Sequence, residues 1–405
     1  MSFKKIIKNI EITKLDNFKG IIYINNKKCF IDNVLVGDIV DIEIYKETSR
    51  YYLAKIINFI KKSENRVENL CKYPNCGGCE LRYIKNDYYY QIKKDILYSK
   101  ISKIFPYYKE ENIEIFKVNE GKRRRISLNY QNGIYGFYEK NSNNIICIEN
   151  CLNVVEEINL IIQKLKNVKL ANLNFIDITK VDNGITLNFD FNNDFNINEL
   201  KKIDFLKYFV ILITYSIKSN PIIYYCKEKP ILKLKNKEII LPEKCFLQAT
   251  KESQDFMINV VCDNLKDCKK VVDLYCGTGT YTFPLSENSK VFCYEGEELM
   301  INSIKNNSFK TSINAIKRDL FNQPLTDNEL NEFDGMVINP PRNGAENQCK
   351  FIAKSKVNKV IYISCNLDAF IRDTKLFSDK YKLEKLYLVD QFYMSKHFEI
   401  IGVFI

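Results

Sequence analysis

The C-terminal third of the chain carries the pattern that most limits its fold. From Lys269 onward, short apolar segments alternate with amphipathic ones, as do the buried strands and covering helices of a doubly wound parallel sheet. We predict an α/β fold with two further strands, 386–389 and 398–405, that form an antiparallel hairpin at the sheet edge, because they are too close in sequence for a helical crossover. The parallel strands are predicted at 271–275, 291–295, 315–317, 335–338 and 360–364, and the helices at 298–309, 346–355 and 367–377.

The N-terminal part has a different pattern. Short β-rich runs separated by turns, at 20–23, 29–31, 39–44 and 51–57, are typical of a small closed barrel. Lysines and tyrosines alternate in these runs, which suits a surface that follows an RNA backbone, although a solvated barrel exterior has the same composition. A polar stretch at 61–69 indicates a linker, and the basic run 122–125 is a second candidate for phosphate contacts, with a solvated surface as the alternative.

Composition narrows the class of protein. The formal net charge of +11 favours a polyanionic partner, although an excess of lysine in a chain rich in Ile, Asn and Tyr also arises from compositional bias. The N-terminus lacks a secretory leader, and no run approaches 18 apolar residues, so we expect a cytoplasmic protein with no membrane partner. The 14 cysteines are then expected to be thiols, with a catalytic or metal-binding subset, rather than disulfides.

A glycine-containing turn follows the first predicted strand, in the sequence Asp273-Leu-Tyr-Cys-Gly277-Thr-Gly279-Thr280. Such a turn brings the backbone close to a ligand at a helix N-terminus. The third glycine of the dinucleotide fingerprint is missing, which argues against NAD and for S-adenosylmethionine, whose amino-acid end requires a polar residue. Glu295 ends the second strand about 20 residues later, where an acidic residue contacts ribose hydroxyls. The turn therefore predicts a methyltransferase.

Three groups of chemically useful residues follow later strands, where ligands of open α/β sheets bind. Asn339-Pro-Pro-Arg342 is similar to the tripeptide of amino methyltransferases, but Arg342 stands where those enzymes stack an aromatic ring. Cys365 and Glu399 suit a different reaction, because C5 of a pyrimidine becomes nucleophilic only after a thiolate adds to C6, and a base must then remove the C5 proton. His397, the single histidine, is as consistent with a structural role as with a functional one.

A cysteine cluster precedes the first predicted helix of the central region. Cys71, Cys76 and Cys79 lie within nine residues, and Gly77-Gly78 lets the backbone fold around an inorganic centre. A fourth thiolate, from Cys147 or Cys151, completes an iron-sulfur or a zinc site, and the spacing does not decide between them. The Cys-x₃-Cys-x₂-Cys spacing of radical S-adenosylmethionine enzymes is absent.

Together these residues resemble the RNA uracil-C5 methyltransferase family, in particular its 23S rRNA branch with a TRAM domain and a [4Fe-4S] cluster. The resemblance implies a TRAM-like, OB-like RNA-binding β-barrel at 1–62, ending near Ser63-x-x-Arg66, and a β-rich central iron-sulfur domain at 63–240. It also implies a C-terminal doubly wound, class I S-adenosylmethionine-dependent methyltransferase domain at 241–405.

The resemblance also implies roles for individual residues. The stretch from Gly136-Phe137-Tyr138 to Cys151 selects Cys151 over Cys147 as the fourth ligand, although the family usually has His at Asn143 and a first cysteine gap one residue longer. The implied [4Fe-4S] ligands are Cys71, Cys76, Cys79 and Cys151, the nucleophile and base are Cys365 and Glu399, and the cofactor contacts are Gln248 of Phe-x-Gln, Tyr275, Thr280, Glu295, Asp319 and Asn339.

Asn339 replaces the aspartate of the family's Asp-Pro-Pro-Arg. An amide substitutes if this group only accepts a hydrogen bond, whereas activity or cofactor affinity falls if it must be charged. The expected substrate is a uridine of 23S rRNA, with tRNA as one alternative and a catalytically weakened RNA-binding or ribosome-assembly factor as another. No protein partner is implied.

Overall fold

The computed structural model describes residues 5–218 and 220–405, which form two compact units. The first unit contains the described residues up to Pro74 together with 79–100 and 394–396. The second contains the remaining described residues, from 75–78, 101–393 and 397–405. The three-domain division at 62 and 240 stays a prediction.

The first unit is built on a six-stranded sheet in the order β1-β5-β6-β4-β3-β2. Its two end strands, β1 and β2, are joined by three residues only, so the sheet must curve until its ends approach one another. The predicted short strands are confirmed, and β1 and β2 were missed. The identity of this curved sheet as a TRAM-type barrel stays a prediction. The elements are β1 (Lys5–Glu11), β2 (Leu15–Asp16), β3 (Lys19–Ile24), β4 (Lys27–Ile31), β5 (Ile39–Glu47), β6 (Tyr51–Lys61) and α1 (Asn86–Ile101).

The linker predicted at 61–69 is wrong, because this stretch packs against the sheet through Arg66. The guanidinium lies between the rings of Phe59 and Tyr83, at 4.6 and 4.7 Å from their centroids. Its Nη2 atom is 2.7 Å from Oδ2 of the fully buried Asp38, which also accepts hydrogen bonds from the N–H groups of Leu35 and Ser63. Arg66 therefore neutralises a buried carboxylate and fixes this stretch to the sheet.

Replacing Asp38 with alanine is expected to lower the free energy of unfolding by about 3–5 kcal/mol, because Arg66 and two backbone N–H groups lose their acceptor inside the unit. Urea denaturation measures the loss. Asp32→Ala, which breaks a more exposed pair with Lys19, is the control and is expected to cost under about 1 kcal/mol. Equal losses for the two variants would contradict a stabilising role of the buried pair.

The second unit begins with elements that form a seven-stranded sheet in the order β10-β9-β8-β11-β12-β13-β14. All neighbouring pairs are antiparallel except β12 and β13, and α2 contributes Ile158, Ile161 and Leu165 to the core beneath the sheet. The expectation of a β-rich central region is confirmed. The elements are β7 (Ile113–Phe116), β8 (Arg125–Gln131), β9 (Ile134–Tyr138), β10 (Ile145–Cys147), α2 (Glu156–Leu165), β11 (Leu173–Val181), β12 (Gly184–Phe191), β13 (Leu212–Ile217) and β14 (Asn220–Cys226), with 3₁₀ segments at Glu110–Asn112 and Ile197–Tyr208.

The C-terminal part of this unit contains an eight-stranded sheet in the order β19-β18-β17-β20-β21-β23-β22-β7. Five neighbouring strands, from β19 to β21, are parallel, which confirms the predicted doubly wound sheet. The elements are β15 (Ile231–Leu234), β16 (Lys237–Ile240), α3 (Lys251–Leu265), β17 (Lys270–Leu274), α4 (Thr282–Leu285), β18 (Lys290–Glu295), α5 (Glu298–Asn307), β19 (Ile313–Lys317), α6 (Asp327–Leu330), β20 (Gly335–Ile338), α7 (Glu346–Ile352), β21 (Lys359–Ser364), α8 (Leu367–Lys375), β22 (Leu383–Val389) and β23 (Glu399–Phe404).

The final hairpin is antiparallel as predicted, but its placement at the sheet edge is wrong. β23 lies inside the sheet between β21 and β22, and β7 pairs in parallel with β22. A strand from residues 113–116 therefore covers the edge that the sequence pattern left open. No helix in the described part of the chain is long and apolar enough to cross a membrane.

Candidate active site

The register of β21 and β23 brings Cys365 and Glu399 together. Ser364 pairs with Ile400 across these antiparallel strands, so the next position places Cys365 opposite Glu399. The neighbouring parallel strands β17, β18 and β20 end at the same edge, where ligands of α/β sheets bind. A thiol and a carboxyl therefore lie side by side at the ligand edge.

The Glu399 side chain is buried, with 5% of its surface exposed. Burial raises the pKa of its carboxyl to about 7, although a hydrogen bond from Gln391 and the positive charge of Arg125 both oppose this shift. A carboxyl with this pKa exchanges protons at neutral pH, as a general base must. Below pH 7 the group is mostly protonated and cannot accept a proton.

Cys365 is half-buried at the end of β21. Burial and the negative charge of Glu399 raise the pKa of its thiol, and the positive charge of Arg342 opposes them. The substrate-free thiol is therefore protonated at neutral pH. The next residue, Asn366, caps α8 and donates from Nδ2 to the carbonyl oxygen of Arg342 at 3.0 Å, which ties the loops after β20 and β21 together.

Gln391 links two residues of the site and was missed by the sequence analysis. Its Nε2 atom donates to Oε1 of Gln248 at 2.8 Å and to Oε1 of Glu399 at 2.9 Å. Its Oε1 atom accepts from the N–H of Ala249 at 2.7 Å. The signal available in the sequence was a polar Asp390-Gln391 pair directly after the apolar β22, at a strand end.

The phosphate-binding interpretation of the basic run 122–125 is wrong for Arg124, and so is the solvated-surface alternative. The Arg124 side chain is only 4% exposed. Its Nε donates to the carbonyl oxygen of Gln248 at 3.0 Å, and its Nη2 donates to Oε1 of Gln254 at 2.6 Å. The guanidinium of the half-buried Arg125 lies 4.1 Å from the ring centre of Phe246. These arginines support the Phe246-x-Gln248 segment from inside.

The turn after β17 contains three residues with positive φ. Tyr275, Gly277 and Gly279 have φ values of +61°, +54° and +86°. A Cβ atom added at Gly277 would meet nothing within 4 Å, whereas one at Gly279 would lie 2.8 Å from the Phe283 ring. Gly279 therefore permits helix packing, and Gly277 borders open space, where a ligand can approach the turn.

Glu295 lies at this turn, as the sequence predicts. Its Oε2 accepts a hydrogen bond from the N–H of Gly277 at 3.1 Å, and its Oε1 accepts from the N–H groups of Gly296 and Glu297 at 2.7 and 3.0 Å. These bonds hold the carboxylate between the ends of β17 and β18. The half-buried Thr280 lies at the end of the same turn, and the backbone N–H of Asn339, after β20, donates to the carbonyl oxygen of Leu274 at 3.2 Å.

Two buried oxygen atoms at the turn are unsatisfied among the described residues. The fully buried Asp273 accepts from Thr282 Oγ1 at 2.6 Å, but its Oδ1 and the Oγ1 of the buried Thr278 have no hydrogen-bond partner among the described residues. Burial is the main cause that raises the pKa of Asp273 to about 7. A cationic hydrogen-bond donor at this turn would pair with these buried oxygen atoms and would offset the cost of burying a charged Asp273 carboxylate. The residues therefore fit the ammonium end of S-adenosylmethionine.

Asp319 and Tyr275 lie on loops at the same edge. Hydrogen bonds from Asn322, at 2.6 Å from Nδ2, and from the Phe321 N–H lower the pKa of the Asp319 carboxyl. The rings of Tyr275 and Phe321 have centroids 5.5 Å apart. The structure thus joins the two predicted cofactor contacts through Phe321, which the sequence analysis did not single out.

The four cysteines of the predicted cluster are all partly buried. Cys71 and Cys79 belong to the first unit and Cys76 and Cys151 to the second, where 75–78 pair with 138–140 near β9. Their donor chemistry suits an iron-sulfur centre. Within 5–218 and 220–405, however, no three His, Cys, Asp or Glu side chains are arranged to hold a metal ion, and the cluster stays a prediction.

An α/β sheet with a thiol and a carboxyl at its ligand edge, beside a turn that fits S-adenosylmethionine, defines the class as a methyltransferase. A model of the tRNA (uracil-5-)-methyltransferase family matches residues 88–405, and the chain belongs to this family. It is an S-adenosylmethionine-dependent RNA (uracil-5-)-methyltransferase.

Similar proteins cover nearly the whole chain. The 23S rRNA (uracil(1939)-C(5))-methyltransferase RlmD of Aliivibrio fischeri is 26% identical over 98% of this chain and 95% of its own length. RlmD of Mannheimia succiniciproducens is 27% identical with the same coverage. The structure of Pyrococcus abyssi tRNA (uracil-54, C5)-methyltransferase in complex with S-adenosyl-L-homocysteine has a TM-score of 0.78 at 19% identity, covering 98% of this chain and 100% of that one. The last comparison shows a shared fold.

Proposed function

We propose that this protein methylates C5 of a uridine in 23S rRNA through a covalent bond between Cys365 and C6 of the base. The observation that carries the proposal is the register of β21 and β23, whose last pair is Ser364 and Ile400, together with the effect of the Glu399 charge on the Cys365 thiol. A pyrimidine C5 methyl transfer requires one nucleophile and one base, and these are the two groups present.

In the proposed mechanism, the Cys365 thiolate adds to C6 of the flipped base, and the C5–C6 electron pair becomes available at C5. Bound S-adenosylmethionine supplies the methyl group. Glu399 then takes the proton from C5, the C5–C6 double bond forms again, and the bond between C6 and sulfur breaks with its electrons returning to Cys365. The raised pKa of Glu399, about 7, suits this proton transfer.

The raised pKa of Cys365 has a consequence for this mechanism. Since burial and Glu399 keep the thiol protonated in the substrate-free enzyme, we expect the free enzyme to resist alkylation at neutral pH. The partly exposed thiol loses its proton to solvent before sulfur adds to C6, and the positive charge of Arg342 favours the thiolate.

The relatives support 23S rRNA as the substrate, because RlmD proteins align with almost the entire chain. The family description and the P. abyssi enzyme favour tRNA instead. Mapping 5-methyluridine in both RNAs, from cells with and without the gene, separates the two. We expect one 23S rRNA position to lose its methyl group. Loss in tRNA alone would assign a tRNA enzyme, and no loss in either RNA would favour a catalytically weakened RNA-binding factor, the reading motivated by Asn339.

We also propose that Cys71, Cys76, Cys79 and Cys151 bind a [4Fe-4S] cluster, supported by the spacing of the first three and by the preference of such clusters for thiolate ligands. The protein purified without oxygen is expected to be brown, with about four irons per chain. Cys151→Ser is expected to lose most of this iron, whereas Cys147→Ser, at the neighbouring exposed thiol, is the control and is expected to keep it. Colourless protein with stoichiometric zinc would contradict the iron-sulfur assignment.

A further inference from the structure

Gln391 lies at the centre of a buried hydrogen-bond network that the mechanism above does not use. Its side chain is 2% exposed, and its carboxamide uses its oxygen once and its NH₂ group twice. The three partners come from two separate segments, with Gln248 and Ala249 before α3 and Glu399 at the start of β23. One side chain thus joins the predicted base to the Phe-x-Gln segment.

The hydrogen bonds of Gln391 determine how its neighbours are oriented. A backbone N–H can only donate, so the contact with Ala249 identifies the oxygen of the Gln391 carboxamide. The NH₂ group then faces Gln248 and Glu399, and the atom of Gln248 that meets it must be an oxygen. The NH₂ group of Gln248 is consequently turned away from Gln391, and Glu399 is held by Oε1 only.

We infer that Gln391 is a positioning residue for the methyl transfer. It holds Oε1 of Glu399 so that Oε2 takes the C5 proton, and it fixes the carboxamide of Gln248 through that residue's Oε1. This inference rests on the proposed role of Glu399. A carboxyl free to rotate would present either oxygen and would lose the geometry that proton transfer requires.

Gln391 also affects the charge of Glu399. The groups that interact electrostatically with this carboxyl are Arg125 of β8, the thiol of Cys365 and the buried hydroxyl of Tyr281. The donor of Gln391 and the charge of Arg125 lower the pKa of Glu399, against the larger effect of burial. Removal of the Gln391 donor must therefore raise this pKa above its value of about 7, so more of the base is protonated at neutral pH.

The test compares Gln391→Met and Gln391→Glu with the wild-type protein. The rate at which the covalent complex with unmodified RNA resolves is measured against pH in a single turnover, from the release of methylated RNA. For Gln391→Met we expect the acid limb of this pH–rate profile, where the rate falls as the base is protonated, to move up by about one pH unit. Resolution at pH 7 is expected to be about ten-fold slower and to recover partly at higher pH. Gln391→Glu places a second carboxyl against Glu399 and is expected to move the limb further.

Gln348→Met is the matched control. Gln348 is also buried, at 1% exposure, and its carboxamide makes two 2.9 Å hydrogen bonds, both to the backbone of Leu325 rather than to Gln248 or Glu399. We expect this variant to lose stability with an unchanged acid limb. An unmoved limb in Gln391→Met would overturn the inference. Failure of the wild-type protein to form a covalent complex with 5-fluorouridine RNA would instead overturn the proposed mechanism, so the two failures are distinguishable.

Discussion

Cys365→Ala is expected to lose at least about 10³-fold in the rate of methyl transfer while the protein still binds RNA. Without the thiolate, C5 of the base never becomes nucleophilic, and the remaining residues of the site only bind and orient the substrates. The rate is measured by transfer of a labelled methyl group to RNA, and binding is measured separately by filter retention.

The variant is also expected to form no covalent complex. RNA containing 5-fluorouridine cannot lose a proton from C5, so it should remain attached to the wild-type enzyme on a denaturing gel and be absent from Cys365→Ala. Cys262→Ala is the control and is expected to react normally. Cys262 is a half-buried thiol of α3, and burial raises its pKa as it does that of Cys365. Normal turnover by Cys365→Ala would refute the covalent mechanism and favour amino methylation at Asn339-Pro-Pro.

Glu399→Gln is expected to fail at a later step. The amide cannot accept the C5 proton, so the enzyme should methylate once and remain bonded to its RNA product, with turnover reduced by about 10²–10⁴-fold. A denaturing gel after incubation with unmodified RNA and S-adenosylmethionine detects the accumulated complex. Glu384→Gln, an exposed substitution on β22, should show no accumulation.

The same carboxyl predicts a pH dependence for the wild-type enzyme. Burial raises the pKa of Glu399 to about 7, so the unprotonated base is lost as pH falls through 7. Resolution of the covalent complex is therefore expected to slow below pH 7 and to reach a plateau above about pH 8, whereas Glu399→Gln should show no such limb. A complex that resolves equally fast at pH 5.5 and pH 8 would exclude Glu399 as the base.

The sequence by itself determined the parallel strands, the candidate site residues that follow them and the pattern of the turn after β17. Buried parallel strands are continuous apolar runs, and glycines with an early acidic residue are local requirements of a ligand-binding turn, so both are visible within short windows of sequence. For the same reason, Cys365 and Glu399 could be proposed as partners from motifs that each occupy three residues.

Only the tertiary structure decided which distant residues meet. β7 pairs with β22 across more than 260 residues, Arg124 supports Gln248, Arg66 neutralises Asp38, and Gln391 joins Gln248 to Glu399. A single Arg or Gln in the sequence gives no sign of whether its side chain is solvated or buried. Its partner is selected by the need to satisfy every buried polar group, and that need arises only after the chain has folded.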